Sequence, residues 1–466
     1  METCMNSRWI AFLALGTAAL AGLGWFAWQQ SRNRDEFSEE LLVEALESKV
    51  SSGPVGLEIP GDWPQWRGPT REGKPAPIVS GGLVDSFPGN LAWEHSPGEG
   101  YSSPVIAGNR VYMMGRREPD ETLCCLELAT GKTVWEQSWP TPFKCDFGNG
   151  PRATPVLASG KVVSLGIAGD LRVVNADDGK PAWSVRFADG LARATPQWGY
   201  SGSPLVLGER VIAQAGAPAG LLAWDLATGR EAWRAAGLDS DPAGYSSPVA
   251  AAFPGGTQVV ALSARRVAGI HPASGSLLWE FPWETDFEVN AATPLVWTGG
   301  EEHPGIRYVF ITSGYGKGCA LIRVSEIGGS FEARQVYHVR GLRSHFGTPV
   351  RVGDHIYGFD EQMLVCLDWR TGKVAWKHRG YAKGTLVALE GHLAVLGEKG
   401  TLALLKATPE GPIEVARHEP FGEAGPRNGR CWTGPVPARG MMFVRDESRL
   451  LALKGGATVE PPGAKR

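Results

Sequence analysis

Short apolar runs alternate with polar breaks along almost the whole chain. Runs such as those at 110–114 and 210–214 are rich in Val, Ile, Leu and aromatic residues, and Gly, Asn, Asp and Pro separate them. Apolar runs of about four to six residues bounded by such breakers read as β-strands. The runs come in a fixed order. A small residue, then Ser or Thr, then Pro and an apolar pair opens each unit, at 101–106, 152–157, 201–206, 245–250, 291–296 and 346–351. A Gly-containing turn and a second run follow. A third run ends four residues before a turn glycine, on Glu127, Asn175, Asp225, His271 or Asp368. A Thr-Gly, Asp-Gly or Ser-Gly turn then leads into a strand carrying Trp.

That last step is the most regular. The pairs are Gly131/Trp135, Gly179/Trp183, Gly229/Trp233, Gly275/Trp279 and Gly372/Trp376, and the Trp residues stand about 48, 50, 46 and 97 positions apart. A period in this range marks an array of supersecondary units. Four antiparallel strands per period is the pattern of a propeller blade. Weaker units fill the gaps: 290–339 lacks the Trp, 383–419 lacks both Trp and Pro, and 432–456 supplies three strands. The strand around Trp93 has no unit before it and is expected to complete the last blade. The sequence thus predicts an all-β propeller of about eight four-stranded antiparallel blades, closed by an N-terminal strand. Trp93, Trp135, Trp183, Trp233, Trp279 and Trp376 are the expected plugs of the seams between blades.

Composition changes this picture little. The chain has 466 residues with 62 Gly and 34 Pro, which suits a turn-rich fold, and a net charge of −3 that argues against a nucleic-acid surface. Seven Cys are too few for a disulfide framework, and no CxxC pair points to zinc or haem. The ends add more. Residues 8–28 form an apolar stretch without internal charge, long enough to span a bilayer as a helix, with Trp9, Trp25 and Trp28 near its ends. Residues 1–30 therefore read as a membrane anchor or, given the small residues at 19–21, as a cleaved signal peptide. Residues 31–60 read as an amphipathic stalk and linker, 61–456 as the propeller, and 457–466 as a disordered tail. On this reading the propeller is exported and sits on the periplasmic side of a bacterial inner membrane, held by a single pass, with that membrane as one partner.

The pattern L-x-x-x-D-x-x-TGK-x-x-W, seen as LLAWDLATGREAW at 221–233 (with Arg in place of the Lys) and LVCLDWRTGKVAW at 364–376, resembles the PQQ-like β-propeller repeat. The opening GDWPQWRGPTREG at 61–73 is similar to the lead-in of exported proteins of that kind. The resemblance covers about 61–456. It implies one of two activities. One branch of the superfamily holds quinoprotein dehydrogenases, with pyrroloquinoline quinone and calcium in the central funnel. The other holds non-catalytic propellers, such as the lipoprotein of the outer-membrane assembly machinery, that bind proteins through blade loops and strand edges. No lipobox cysteine follows the apolar stretch here.

In a propeller the innermost strand lines the channel, so residues just before each Ser/Thr-Pro step should ring one mouth of it. They are Tyr101, Arg152, Tyr200, Tyr245, Asn290, His345, Lys383 and Trp432, with Arg193, Arg343 and Arg430 slightly upstream. Aromatic, basic and amide groups of this kind suit an anionic or ring-shaped ligand. Calcium would need six to eight oxygens. The loop candidates Asp146, Asn149, Asp286, Glu288 and Asn290 are scattered, and the basic ring opposes a calcium cage. HExxH, nucleophile-elbow and P-loop patterns are absent from the sequence. The expectation is a non-enzymatic, protein-binding or scaffolding propeller of the cell envelope, engaging envelope proteins through blade loops or edges, with neither cofactor nor metal. The alternatives are a quinone- and calcium-dependent dehydrogenase and a small-ligand sensor at the mouth.

Overall fold

The computed structural model describes residues 60–75, 82–300 and 303–455. Among the described residues thirty-two strands form eight four-stranded antiparallel sheets. Seven of these blades are built from consecutive strands. Their innermost strands are Val105–Ala107, Val156–Ala158, Leu205–Leu207, Val249–Phe253, Leu295–Thr298, Val350–Val352 and Thr385–Leu389. The eighth blade takes Val436–Ala438, Met441–Arg445 and Leu450–Gly455 from the end of the chain and Pro88–His95 from its start. Trp93 stands opposite Ala452, and His95 opposite Leu450.

Two parts of the expected fold are corrected. The eight sheets are separate and open, and no strand ladder joins one to the next. Among the described residues no helix is long and apolar enough to cross a membrane. The segment expected to do so, within 1–30, lies outside the described residues, as do 31–59 and the tail 457–466. The described fold is a propeller with no membrane-spanning helix among its residues, and none of them carries the expected single pass or the inner membrane as a partner.

The core is a series of seams. Each apolar cluster joins two or three successive blades: one packs the second blade on the third, another the third on the fourth, and the largest ties the seventh and eighth to the first. The Trp signature serves these seams. Trp93, Trp135, Trp183, Trp233 and Trp376 each donate their indole N–H to a backbone carbonyl in the outer turn of the following blade, at 2.8–2.9 Å, on Leu128, Ala176, Leu226, Pro272 and Thr408. The turn glycine makes room for the ring. Gly229 has φ +71°, and a Cβ there would lie 2.6 Å from the Trp183 indole. Signature glycine and signature Trp of neighbouring blades thus interlock. The turn is held by the residue that ends the third run: Asp225 accepts from the Thr228 N–H (2.9 Å) and hydroxyl (2.7 Å), and Asp368 does the same for Thr371.

Two seams differ. The fifth blade carries Tyr337 where Trp is missing, and its hydroxyl donates to the Trp369 carbonyl at 2.8 Å. Trp279 faces a blade whose third and fourth strands are joined by a tight turn at Gly328 and Gly329. Its N–H donates instead to Gln258 Oε1 of its own blade, at 2.7 Å.

Ser and Thr residues at the entry to the inner strands build a second belt near the axis. The Ser103 N–H donates to Thr154 Oγ1 (3.2 Å), the Thr154 N–H to Ser203 Oγ (2.9 Å), and the Ser203 N–H to Ser247 Oγ (2.9 Å). Ser246 Oγ donates to the Ala292 carbonyl, the Thr293 N–H to Thr348 Oγ1, Thr385 Oγ1 to the Thr433 carbonyl, and Thr433 Oγ1 to the Tyr101 carbonyl. Seven of the eight seams are bridged this way. Buried backbone and hydroxyl groups beside the axis thereby find partners.

Candidate functional site

The two ends of the axis are unlike. One end, the turn face, is entered by the chain itself. Gly61 accepts from the Arg439 N–H, Asp62 pairs with Arg439 and accepts from the Gly108 N–H, and Trp63 exchanges both backbone bonds with Ile106. From there residues 61–73 run along the axis between the inner strands. The Leu157 N–H reaches the Pro64 carbonyl, and the Ala388 N–H reaches Gly73. The side chains fill the space. Arg67 donates to the carbonyls of Thr348 (3.0 Å) and Pro349 (2.7 Å). Arg71 donates to those of Ser203, Pro204 and Pro248 and to Gln65 Oε1. Trp66 donates to Thr293 Oγ1 at 2.9 Å. Burial pulls both guanidinium groups down to about 9, which still leaves them charged at neutral pH. Carbonyls that start the inner strands and point into the axis are satisfied by two cations of the lead-in.

The other end, the mouth face, is formed by the loops that enter each inner strand. Tyr101, Arg152 and Trp432 come together there. The Trp432 ring lies 5.2 Å from Tyr101, 5.2 Å from Phe346 and 6.0 Å from Phe147, with Arg430 stacked 5.0 Å above it and Glu398 accepting its N–H at 2.8 Å. Arg152 holds the loop at 145–150 by donating to the carbonyls of Gly148 and Gly150 and to Cys145 Sγ. His345 and Lys383 form a second group. The His345 ring lies 4.7 Å from Tyr315, which lies 5.0 Å from Phe287, and its Nε2 is 3.4 Å from Glu361. Burial first, then Lys383, lowers the His345 pKa. Tyr245 packs beside Trp198 at 5.8 Å. Burial pushes the phenols of Tyr101 and Tyr245 up to about 12, so both are neutral hydroxyls.

The remaining ring positions are spent inside the protein. Tyr200 donates to the Ala215 carbonyl at 3.1 Å and packs edge-on against Phe187. Asn290 has no exposure; its amide donates to the carbonyls of Ser263, Ala264 and Trp283, and its oxygen accepts from Ser313. Arg343 is paired with buried Asp360, and Arg193 is exposed. Phe147, Trp198, Phe287, Tyr315 and Phe346 were not singled out by the spacing. Aromatic residues inside the polar loops CDFGNG, TDFEVN and GYGKG were the available signal.

The fold and its stoppered axis define the class as an eight-bladed, PQQ-like propeller. Residues 119–378, more than half of the chain, match the family described as outer membrane protein assembly factor BamB, and the chain belongs to that family. Solved structures agree at the level of fold. BamB from Moraxella catarrhalis is 13% identical with a TM-score of 0.54, over 80% of this chain and 99% of that one. A europium-containing methanol dehydrogenase is 14% identical with a TM-score of 0.61, over 86% and 91%. A quinohemoprotein alcohol dehydrogenase from Pseudomonas putida HK5 is 12% identical with a TM-score of 0.60, over 88% and 82%. No curated protein matches the chain. The family's description concerns the outer membrane, which further corrects the expected inner-membrane location.

The dehydrogenase relatives raise the fit of a quinone and calcium. The donor set is unsuited to them. Among the described residues no three His, Cys, Asp or Glu side chains gather as metal ligands. Asp146 is exposed on one loop, and Asp286 and Glu288 are exposed two residues apart on another. Asn149 Oδ1 accepts from the Cys145 N–H, and Asn290 is committed as described. The axial carbonyls already face arginine. No chemical step is derived through those groups.

Proposed function

We propose that this chain is a protein-binding propeller of the cell envelope and that it takes its partner on the mouth face. The observation that carries this reading is the asymmetry of the axis. The turn face is stoppered by residues 61–73, whereas the mouth gathers aromatic rings at its surface. Phe147 and Phe287, exposed by 42% and 60%, both stand on mouth loops. Exposed aromatic side chains on a rigid support are the residues that dominate protein interfaces. The family's description, which names outer membrane protein assembly, supports an envelope partner.

A photo-crosslinking residue placed at Phe147 or Phe287 in the full chain should give covalent adducts with an envelope protein in the native cell. The same residue at Thr130, on the turn face, should give none. Replacing both Phe147 and Phe287 by Asp should weaken partner binding roughly ten- to hundredfold while leaving the thermal melt unchanged. Adducts from Thr130 alone would reject the mouth as the docking face.

A further inference from the structure

The outermost strand of the fifth blade is the longest of the eight. Ser330–Val339 has ten residues, whereas the other seven blades end on strands of four to eight. Its partner, Gly318–Ile327, is as long, and the pair reaches past the second strand, whose last rung sets Ile306 on Ser325. Gly328 and Gly329 hold φ of 60° and 81°, so they make a two-residue hairpin that leaves Ile327 and Ser330 a hydrogen-bonded pair. Bonded and unbonded pairs then alternate. Ser325 with Glu332 and Arg323 with Arg334 are bonded pairs. The N–H and C=O groups of Phe331, Ala333 and Gln335 therefore point to the open side. Among the described residues none of these groups has another partner. Neither Pro nor Gly interrupts 330–335, and the register shifts only beyond Gln335. A regular, unprotected edge is a template for one more strand.

Its side chains say which strand fits. Glu332 and Arg334 lie on one face, two residues apart. They pair with each other at 2.7 Å, but with side-chain exposures of 42% and 71% that pair is screened by water. Arg334 also stands directly opposite Arg323, a like charge. We propose that this edge pairs with the same edge of a second copy of the chain, antiparallel about a two-fold axis at Ala333. The outward backbone groups of Ala333 then meet those of Ala333, and those of Phe331 meet Gln335. On the charged face each Arg334 comes opposite Glu332 of the other copy. The small Ala333 side chain puts no bulk at the centre. Charge also selects this register. Moving the centre by one residue either way would set Arg334 on Arg334 or Glu332 on Glu332. The contact is isologous, as a two-fold requires. The paired stretch is short, which places the dimer below the roughly 1,200 Å² of a stable interface and makes it weak. It lies on the rim of the fifth blade and does not depend on the mouth.

The test uses the full chain in two differently tagged forms, made together, with a photo-crosslinking residue at Gln335. Light should give an adduct that carries both tags. E332R in both forms turns the two cross-copy attractions into repulsions, and so does R334E. Either should weaken the adduct roughly five- to thirtyfold, the worth of two cross-strand charge pairs. Mixing the variants separates this contact from the pair within one strand. A form with E332R set against a form with R334E places opposite charges across the axis twice, although each strand alone carries like charges. That mixture should recover the adduct, and both variants should melt at the parent temperature. An adduct undiminished in the single variants, or a mixture no better than either variant alone, would overturn the proposal. Adducts from Gln335 only to a different protein would give the edge to another partner and equally reject the second copy. Crosslinks from Phe147 and Phe287 report on the mouth separately, so either reading can fail without the other.

Discussion

Glu121 shows how much a single side chain can decide in this fold. It has no exposure, accepts from the Ile167 N–H at 2.8 Å and from Thr141 Oγ1 at 3.3 Å, and sits near Asp170 between the first and second blades. Burial above all pushes its carboxyl up to about 7 from an ordinary value of 4.5. The folded state therefore holds a proton that the unfolded chain has already released between those values. Stability contributed by protonated Glu121 is full below about pH 4.5 and is lost as pH rises through 7. E121Q should flatten the pH dependence of the urea midpoint between pH 5 and 7.5, and its effect should be on the order of 2–3 kcal/mol. An unchanged slope would show that other groups set it. Nothing in the sequence marked Glu121, because its burial depends on a strand-to-blade contact 46 positions away. The mouth residues were legible in part for the same reason. Spacing placed Tyr101, Arg152 and Trp432 on entry loops. It could not say which entry residues turn outward and which, like Asn290, turn into the blade.

Local signals fared better at the scale of elements. Strands, tight turns and their order depend on neighbours in sequence, so four strands per blade and eight blades could be read directly. The seam between blades was half visible. The Trp was evident, but its partner, the turn glycine one blade later, emerges only when blades are stacked. Trp233 is 6% exposed, packs on Gly275, and donates to the Pro272 carbonyl. Trp233→Ala should cost about 3–5 kcal/mol, read as a lowered denaturant midpoint. Trp233→Phe should cost less, since the ring stays and the carbonyl alone loses its donor. Equal losses would mean that the hydrogen bond, rather than packing, governs the seam. The substitution of Tyr337 for Trp in the fifth blade could not be read, because its strand is longer and its turn tighter than the repeat predicts.

For the molecule as a whole, the lead-in at 61–73 was read as a family mark and not as the filling of the axis. Its arginines find carbonyls 132 to 282 positions away, a distance no periodicity reports. Arg71→Met should leave several axial carbonyls without donors and lower stability by about 3–5 kcal/mol. It should also speed hydrogen exchange in the strands at 205–207 and 249–253 beyond that elsewhere. Protection lost evenly around all blades would argue that Arg71 acts only through overall stability.

The stopper also settles how the disc resists force. The strand at 88–95 runs beside 450–455 with Pro88 against Gly455, so a tug on the two together would peel them apart like a zip, one rung at a time. A tug from the front of the chain meets the axis first. Arg67 and Arg71 would have to be dragged out past the inner strands before any tension arrived at that zip, so the weakest fastening lies behind the most deeply seated one.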